Sequence, residues 1–202
     1  MALVQAKQML TYENPRRAQL EPLIERARNG MGELLKTPYT GLTWDYLADP
    51  TFENAHNELR KTMQNSLAGK TLVDLGCNNG YYQWRTREIA IRMGIGRYIG
   101  IDLTADEREL ERDEIHISTV KADMLDFVSR LPSESANFML NGIDARVIHD
   151  PAYHRELAAE IHRATERDGR VFGTKSEAFR FLERMGFTEL EVNTAFHIFK
   201  KK

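Results

Sequence analysis

Cysteine is nearly absent: Cys77 is the single one in 202 residues, so no internal disulfide can form and no cysteine-rich metal site exists. A chain without disulfides suits a reducing compartment, and a cytoplasmic location is the expectation. Long apolar runs are also missing. Nothing approaches the roughly 20 consecutive apolar residues that span a bilayer, and the opening segment is interrupted by Gln5, Lys7 and Gln8, so neither a membrane span nor a signal peptide is read. An excess of charge of one sign is lacking as well. The 28 Lys and Arg against 30 Asp and Glu leave a net charge of −2, which argues against a surface built mainly for nucleic acid. Repeats and low-complexity tracts are absent. What remains is 42% hydrophobic and 29% charged, ordinary values for a soluble α/β domain with an appendage.

The first 66 residues have a helical texture broken by Pro15, Pro22, Pro38 and Pro50. Pro22 to Gly30 reads as a short helix with proline near its first turn and glycine at its end. Thr51 to Ser66 reads as a second helix, with Phe52, Ala55, Leu59 and Met63 on one face. After Gly69 the pattern changes to short apolar runs: Lys70 to Leu75, Tyr98 to Asp102, Ile115 to Ala122, Ala136 to Asn141 and Arg170 to Thr174. Helical periodicity fills Tyr81 to Met93, Pro151 to Glu166 and Ser176 to Met185. Thr188 to Val192 and Ala195 to Lys200 close the chain as a strand pair. Ala105 to Glu114 is nearly all charge, with Leu110 alone able to pack, and reads as a short solvated helix or a loop. Apolar strands alternating with helices predict a mostly parallel, Rossmann-like sheet with helices on both faces and an antiparallel C-terminal hairpin. Residues 1–66 would be a helical N-terminal cap that recognises substrate, and residues 67–202 the ligand-binding domain.

In an open α/β sheet, ligands bind outside the carboxyl ends of the strands, where the strand order reverses. The first such end reads Val73-Asp74-Leu75-Gly76-Cys77-Asn78-Asn79-Gly80, with Gly76 and Gly80 bracketing a turn where a ligand can approach bare backbone. The second ends at Asp102, whose carboxylate can accept hydrogen bonds from both hydroxyls of a ribose. The third runs into Asp123-Met124 and the fourth into Asn141-Gly142. Together these segments resemble the class I S-adenosylmethionine-dependent methyltransferases, and the likeness covers about residues 67 to 202. The resemblance implies that Asp74, Gly76, Cys77 and Gly80 line the methionine portion of S-adenosylmethionine. It implies further that Asp102 holds the ribose with Leu103 beside the adenine, that Asp123 meets the adenine amino group with a backbone contact from Met124, and that Asn141 sits near the methionine ammonium. Asn78 stands where the family usually has a second glycine. It adds a polar side chain to the cofactor wall, and asparagine tolerates left-handed backbone better than most residues.

A dinucleotide-binding domain would use the same sheet. Its G-x-G-x-x-G turn closes backbone on a pyrophosphate, whereas positions 78 and 81 are Asn and Tyr here. Methyl transfer needs alignment of the acceptor and, for an oxygen acceptor, removal of a proton. By position, His149 and Asp144 are the candidate bases, with His149 better matched in intrinsic pKa. A plainer role for the His149 region is to lead into the Pro151 helix with Asp150 as its cap. The remaining histidines show no metal-ligand spacing, and no metal is expected. Residues 1–66 carry eight Lys/Arg and eight Asp/Glu, which gives no net pull toward RNA. The expected acceptor is a small molecule or protein side chain. Asn79-Gly-Tyr-Tyr-Gln-Trp-Arg85 is faintly similar to the branch that alkylates the wobble uridine of tRNA, so an RNA-modifying enzyme stays open, as does a catalytically silent cofactor-binding partner. No oligomeric state follows from the sequence.

Overall fold

The computed structural model describes residues 12–30, 61–79, 84, 87, 88, 90–112, 114–140, 150–174, 177–190 and 196–202. Eight strands form one sheet: β1 (Thr71–Leu75), β2 (Arg97–Asp102), β3 (Arg108–Arg112), β4 (Ile115–Lys121), β5 (Asn137–Leu140), β6 (Arg170–Thr174), β7 (Phe187–Leu190) and β8 (Phe196–Lys201). Their order is β3-β4-β2-β1-β5-β6-β8-β7. The five strands from β4 to β6 run parallel, while β3, β8 and β7 are antiparallel to their neighbours. From β1 the chain moves outward through β2 to β4, then returns to the other side of β1 for β5 and β6. The order therefore reverses at β1, which is where a ligand crevice is expected.

Four helices complete the described fold: α1 (Arg17–Gly30), α2 (Met124–Ser129), α3 (Pro151–Ala164) and α4 (Glu177–Arg184). Residues 61–67 and 90–92 are also helical. Strand alternation divides the apolar side chains between two cores. Val73, Ile99, Phe138, Leu140, Val171 and Phe199 pack with α1 to α4 on one face. Leu72, Tyr98, Met139, Phe172 and Ile198 pack with Met63, Leu67, Ala90 and Met93 on the other. A sheet covered on both faces requires near-continuous apolar strands, which is why these segments read as unbroken runs.

Three elements differ from the sequence reading. Ala105 to Glu114 is neither a helix nor a loop throughout: it contains β3, an edge strand paired antiparallel with β4, whose five residues are all exposed. Charge on both flanks of Leu110 conceals a strand that has no buried face, and the same charge guards an open sheet edge against further pairing. Asp123-Met124 opens a short helix that the sequence did not announce, since α2 has only six residues. Helix α1 begins at Arg17, five residues before Pro22, which sits inside it.

Helix α1 shares its core with the sheet. Leu20 and Ile24 are essentially inaccessible and join the cluster containing Leu125, Tyr153 and Leu157. Ionic contacts frame that packing. Asp126 meets Arg17, Arg28 and Arg130. Fully buried Glu160 is met by Asn14 at 2.9 Å, Arg163 at 2.6 Å and Arg16 at 3.3 Å. A buried carboxylate with several donors escapes the penalty of an unpaired buried charge. If α1 is an integral part of the domain, Ile24→Ala should destabilise it by about 2–4 kcal/mol, the usual cost of a buried aliphatic truncation. Equilibrium denaturation measures this, and a loss under ~0.5 kcal/mol, typical of surface sites, would mean that α1 is only peripherally attached.

Candidate functional site

Parallel pairing of β1 with β2 sets Asp74 beside Gly100 and Leu75 beside Ile101. Beyond the ladder the chain stays attached to β2, because the amides of Gly76 and Cys77 both donate to the Ile101 carbonyl, at 2.8 and 3.1 Å. Gly76 has φ +87°, a conformation that favours glycine. Asn78 follows with φ +65°, so the residue standing where glycine is usual takes left-handed geometry. Its side-chain Oδ1 accepts the Asn79 amide at 3.1 Å, a local bond that supports this conformation in asparagine.

That geometry aims the Asn78 amide across the strand ends, where it donates to Asp102 Oδ2 at 3.0 Å. Asp102 Oδ1 accepts both the amide and the hydroxyl of Thr104, each at 2.8 Å. The carboxylate at the end of β2 is thus held from two sides, and Asp102 is half-buried. Leu103 lies beside it, partly buried against the core that contains α1 and α3.

Beneath the turn lies a buried polar group. Asp74 is fully buried and its Oδ2 accepts the Tyr98 hydroxyl at 2.7 Å. Burial and the neighbouring Asp74 charge push the Tyr98 hydroxyl well above its usual range, so it remains a donor. Cys77 is buried too, and desolvation, then Asp74 and Asp102, raise its thiol well above the ordinary value. It therefore stays neutral and forms wall rather than nucleophile. The space is tight: a Cβ added to Gly100 would lie 2.8 Å from Cys77 Sγ and 3.1 Å from the Tyr98 oxygen. Gly100 is what lets the turn settle onto β2.

Asp123, the third strand-end acid, stands in different surroundings. It is 1% exposed and caps α2: Oδ1 accepts the Asp126 amide at 3.0 Å and Oδ2 the Tyr153 hydroxyl at 2.9 Å. Burial raises its carboxyl, opposed in part by those two bonds. Met124 is the first residue of α2. Asp150 caps α3, with Oδ1 accepting the amides of Ala152 and Tyr153 at 2.9 and 3.3 Å and Pro151 following directly. Gly80, Asn141, Asp144 and His149 lie outside the described residues. The structure thus brings Asp74, Gly76, Cys77, Asn78 and Asp102 together at the ends of β1 and β2. Sequence reasoning missed Tyr98, Gly100 and Thr104. For Thr104 a signal existed, since aspartate followed two residues later by threonine is a side-chain-to-backbone turn pattern.

The fold is similar to that of solved methyltransferase structures. It is similar to N-methyltransferase NodS from Bradyrhizobium japonicum WM9, with a TM-score of 0.51 and 14% identity over 76% of this chain and 98% of that one. MNMC2 from Aquifex aeolicus gives the same TM-score of 0.51 at 10% identity, covering 71% of this chain and 56% of that one. Among curated proteins, the tRNA U34 carboxymethyltransferase of Pseudomonas paraeruginosa is 32% identical over 87 residues, 43% of this chain. The chain spans 25% of that relative's length. No protein-family profile matches the chain.

The residues present fit an adenosyl cofactor. Asp102 is a half-buried carboxylate at the reversal of strand order, beside a turn whose Gly76 and Asn78 take positive φ. Asn78 supplies the left-handed geometry at the centre of this arrangement. Asn78→Ala should therefore destabilise the domain by about 1–2 kcal/mol, the cost of placing a Cβ without side-chain support in that region, while Asn78→Gly should stay near wild type. Chemical denaturation of both variants is the check; equal stability of the two would show that backbone geometry at 78 is not the constraint.

Proposed function

We propose that this protein is an S-adenosylmethionine-dependent methyltransferase whose acceptor is a small molecule or a protein side chain. The observation that carries this reading is Asp102: a half-open carboxylate at the end of β2, fixed by the turn amide of Asn78 and by Thr104. Such a group suits a ribose, and its position at the reversal of strand order suits an adenosyl ligand. When bound, the cofactor supplies a methyl group on a positively charged sulfur, already activated toward displacement. The chain's own part is to hold and align.

Asp102 takes the ribose, with Leu103 offering an apolar side to the adenine. The β1 turn from Gly76 through Gly80 borders the methionine portion, with Asp74 and Cys77 behind it and Asn141 toward the ammonium. Asp123 spends both its oxygens on the cap of α2 and on Tyr153. Its part in this reading is accordingly to fix the start of α2, so that the backbone at Met124 meets the adenine edge. For an oxygen acceptor, His149, with Asp144 as the lesser candidate, would remove the proton, since both follow β5 in the sequence. Residues 1–66 are proposed to cover the acceptor side, with α1 as the part anchored into the domain core. Among the described residues, no helix is long and apolar enough to cross a membrane.

A second reading, modification of RNA, is favoured by one observation: the 87-residue match to a protein named tRNA U34 carboxymethyltransferase. Against it stand the near-zero net charge of the chain and the evenly mixed charge of residues 1–66. Incubating the protein with methyl-labelled S-adenosylmethionine and separate small-molecule, protein and tRNA pools distinguishes the readings by where label accumulates. Label in tRNA alone would replace the first acceptor class with the second. Cofactor binding without label in any pool would instead favour a silent binding partner. The cofactor assignment itself is tested by Asp102→Ala, which should weaken S-adenosylhomocysteine binding at least ~10-fold through loss of a charged acceptor. Unchanged affinity in calorimetry, or competition by NADH where S-adenosylhomocysteine has no effect, refutes it.

A further inference from the structure

Helix α2 is too short to hold itself in place. Isolated helices below about 12–15 residues are marginal in water, and α2 has six residues. Its position is therefore set by groups outside it. At its start, Asp123 Oδ1 accepts the Asp126 amide at 3.0 Å, and the Tyr153 hydroxyl accepts the Leu125 amide at 3.3 Å while donating to Asp123 Oδ2. At its end, Arg163 of α3 donates to the carbonyls of Val128 and Leu131 at 3.0 and 2.7 Å. Between the two stands Asp126, whose side chain is 12% exposed and is met by three guanidinium groups. Arg130 comes from the C-cap of α2 itself, at 3.1 Å, whereas Arg17 and Arg28 come from the two ends of α1. Arg17 also donates to Ser129 Oγ at 3.1 Å. Leu20 and Ile24, between those arginines on α1, share a buried cluster with Leu125 and Val128. Helix α1 thus grips α2 through an apolar contact flanked by two charged ones.

We propose that Arg17 and Arg28 are positioning residues: acting through Asp126, they fix α2 and with it the backbone at Asp123 and Met124, just beyond the end of β4. This rests on the cofactor reading above, which sets the adenine beside Met124. The physical route is short. The amide of Asp126 is bonded to the Asp123 carboxylate, so a shift of Asp126 reaches the start of the helix within one turn. A carboxylate this enclosed is tolerated because guanidinium groups supply charge-assisted bonds. Without the two arginines of α1, Asp126 keeps Arg130 of the three. That residue lies four positions along the same helix segment and moves with it, so it anchors α2 to nothing else. Coupling between two events in binding is reciprocal. If α1 in place favours the ligand, the bound ligand must in turn hold α1 in place. The N-terminal segment then has a share in cofactor binding, in addition to the acceptor side proposed for it.

The test is calorimetric binding of S-adenosylhomocysteine to the full chain, paired with hydrogen exchange with and without that ligand. Asp126→Asn keeps the shape but removes the charge that gathers the arginines, and its affinity should fall at least ~5-fold, with Asp126→Glu recovering most of the loss. Arg17→Gln combined with Arg28→Gln should reproduce the loss from the other side of the contact, and should add little when placed on Asp126→Asn. Each affinity is measured where circular dichroism shows the variant fully folded. Should Asp126→Asn not fold, Arg28→Gln alone, at a side chain 42% exposed, should still weaken binding about 2-fold. In the wild type the ligand should slow exchange across α1 and α2 more than across β7 and β8. In Asp126→Asn the extra protection of α1 should disappear. A merely structural contact would lower stability while leaving the folded protein's affinity and that exchange pattern unchanged. Wild-type affinity in the folded variants, or equal protection of α1 and of β7 and β8, overturns the proposal and leaves the cofactor reading standing. Failure of the wild type to bind S-adenosylhomocysteine at all overturns both together.

Discussion

A hydrogen bond from the Asn78 amide to the Asp102 carboxylate ties the turn after β1 to the end of β2, and much else in the protein is arranged so that this bond can form. It requires the parallel register that sets Leu75 beside Ile101. It requires two successive departures into positive φ, at Gly76 and at Asn78. It also requires the absence of a side chain at Gly100, where any Cβ would collide with Cys77 and with the oxygen of Tyr98. Each condition is local, yet they come from two strands separated by a helical connection. Stability of the sheet and geometry of the site are therefore one constraint. A change that shifted β2 by one residue would lose the core alternation and the carboxylate together.

The strand-end acids look alike in sequence but have been given different work by burial. Asp74 is sealed below the turn and bonded to Tyr98. Asp123 is sealed under α2 and bonded to Tyr153, and desolvation raises its carboxyl. Asp102 alone of the three is half-open. Buried carboxylates are tolerated when every oxygen near protein has a donor, and such groups shape a site more than they contact its ligand. The open one meets whatever enters. The same logic applies to the N-terminal part of the chain: α1 is held by apolar packing of Leu20 and Ile24 and framed by ion pairs around Asp126 and Glu160, so its position relative to the sheet is set by the core.

Most of the sheet was legible because a two-sided core forces a distinctive texture. Five buried strands read as short apolar runs, with bounds within a few residues of those observed. The Asp150 cap with Pro151 behind it was legible for a similar reason, since a helix start needs an acceptor for its free amides. Elements without that forcing were not legible. Strand β3 is exposed along its whole length and owes its existence to the neighbour β4, so no periodicity marks it. Helix α2 is too short to display a period. Residues Arg17 to Glu21 of α1 were hidden by Pro22, which as a rule ends helices and here lies inside one because packing compensates for the lost bond.

By itself the sequence determined the class of fold, the ends at which a ligand could lie and the residue types available there, because alternation, turn chemistry and composition are written locally along the chain. Tertiary structure decided what each of those residues can do. The partial exposure of Asp102, closure of Asp74 and Asp123, the neutrality of Cys77 and the Asn78 donor that fixes Asp102 all depend on groups contributed by other elements. Desolvation and hydrogen-bond valence are properties of a surrounding, and a surrounding exists only once the strands have been brought side by side.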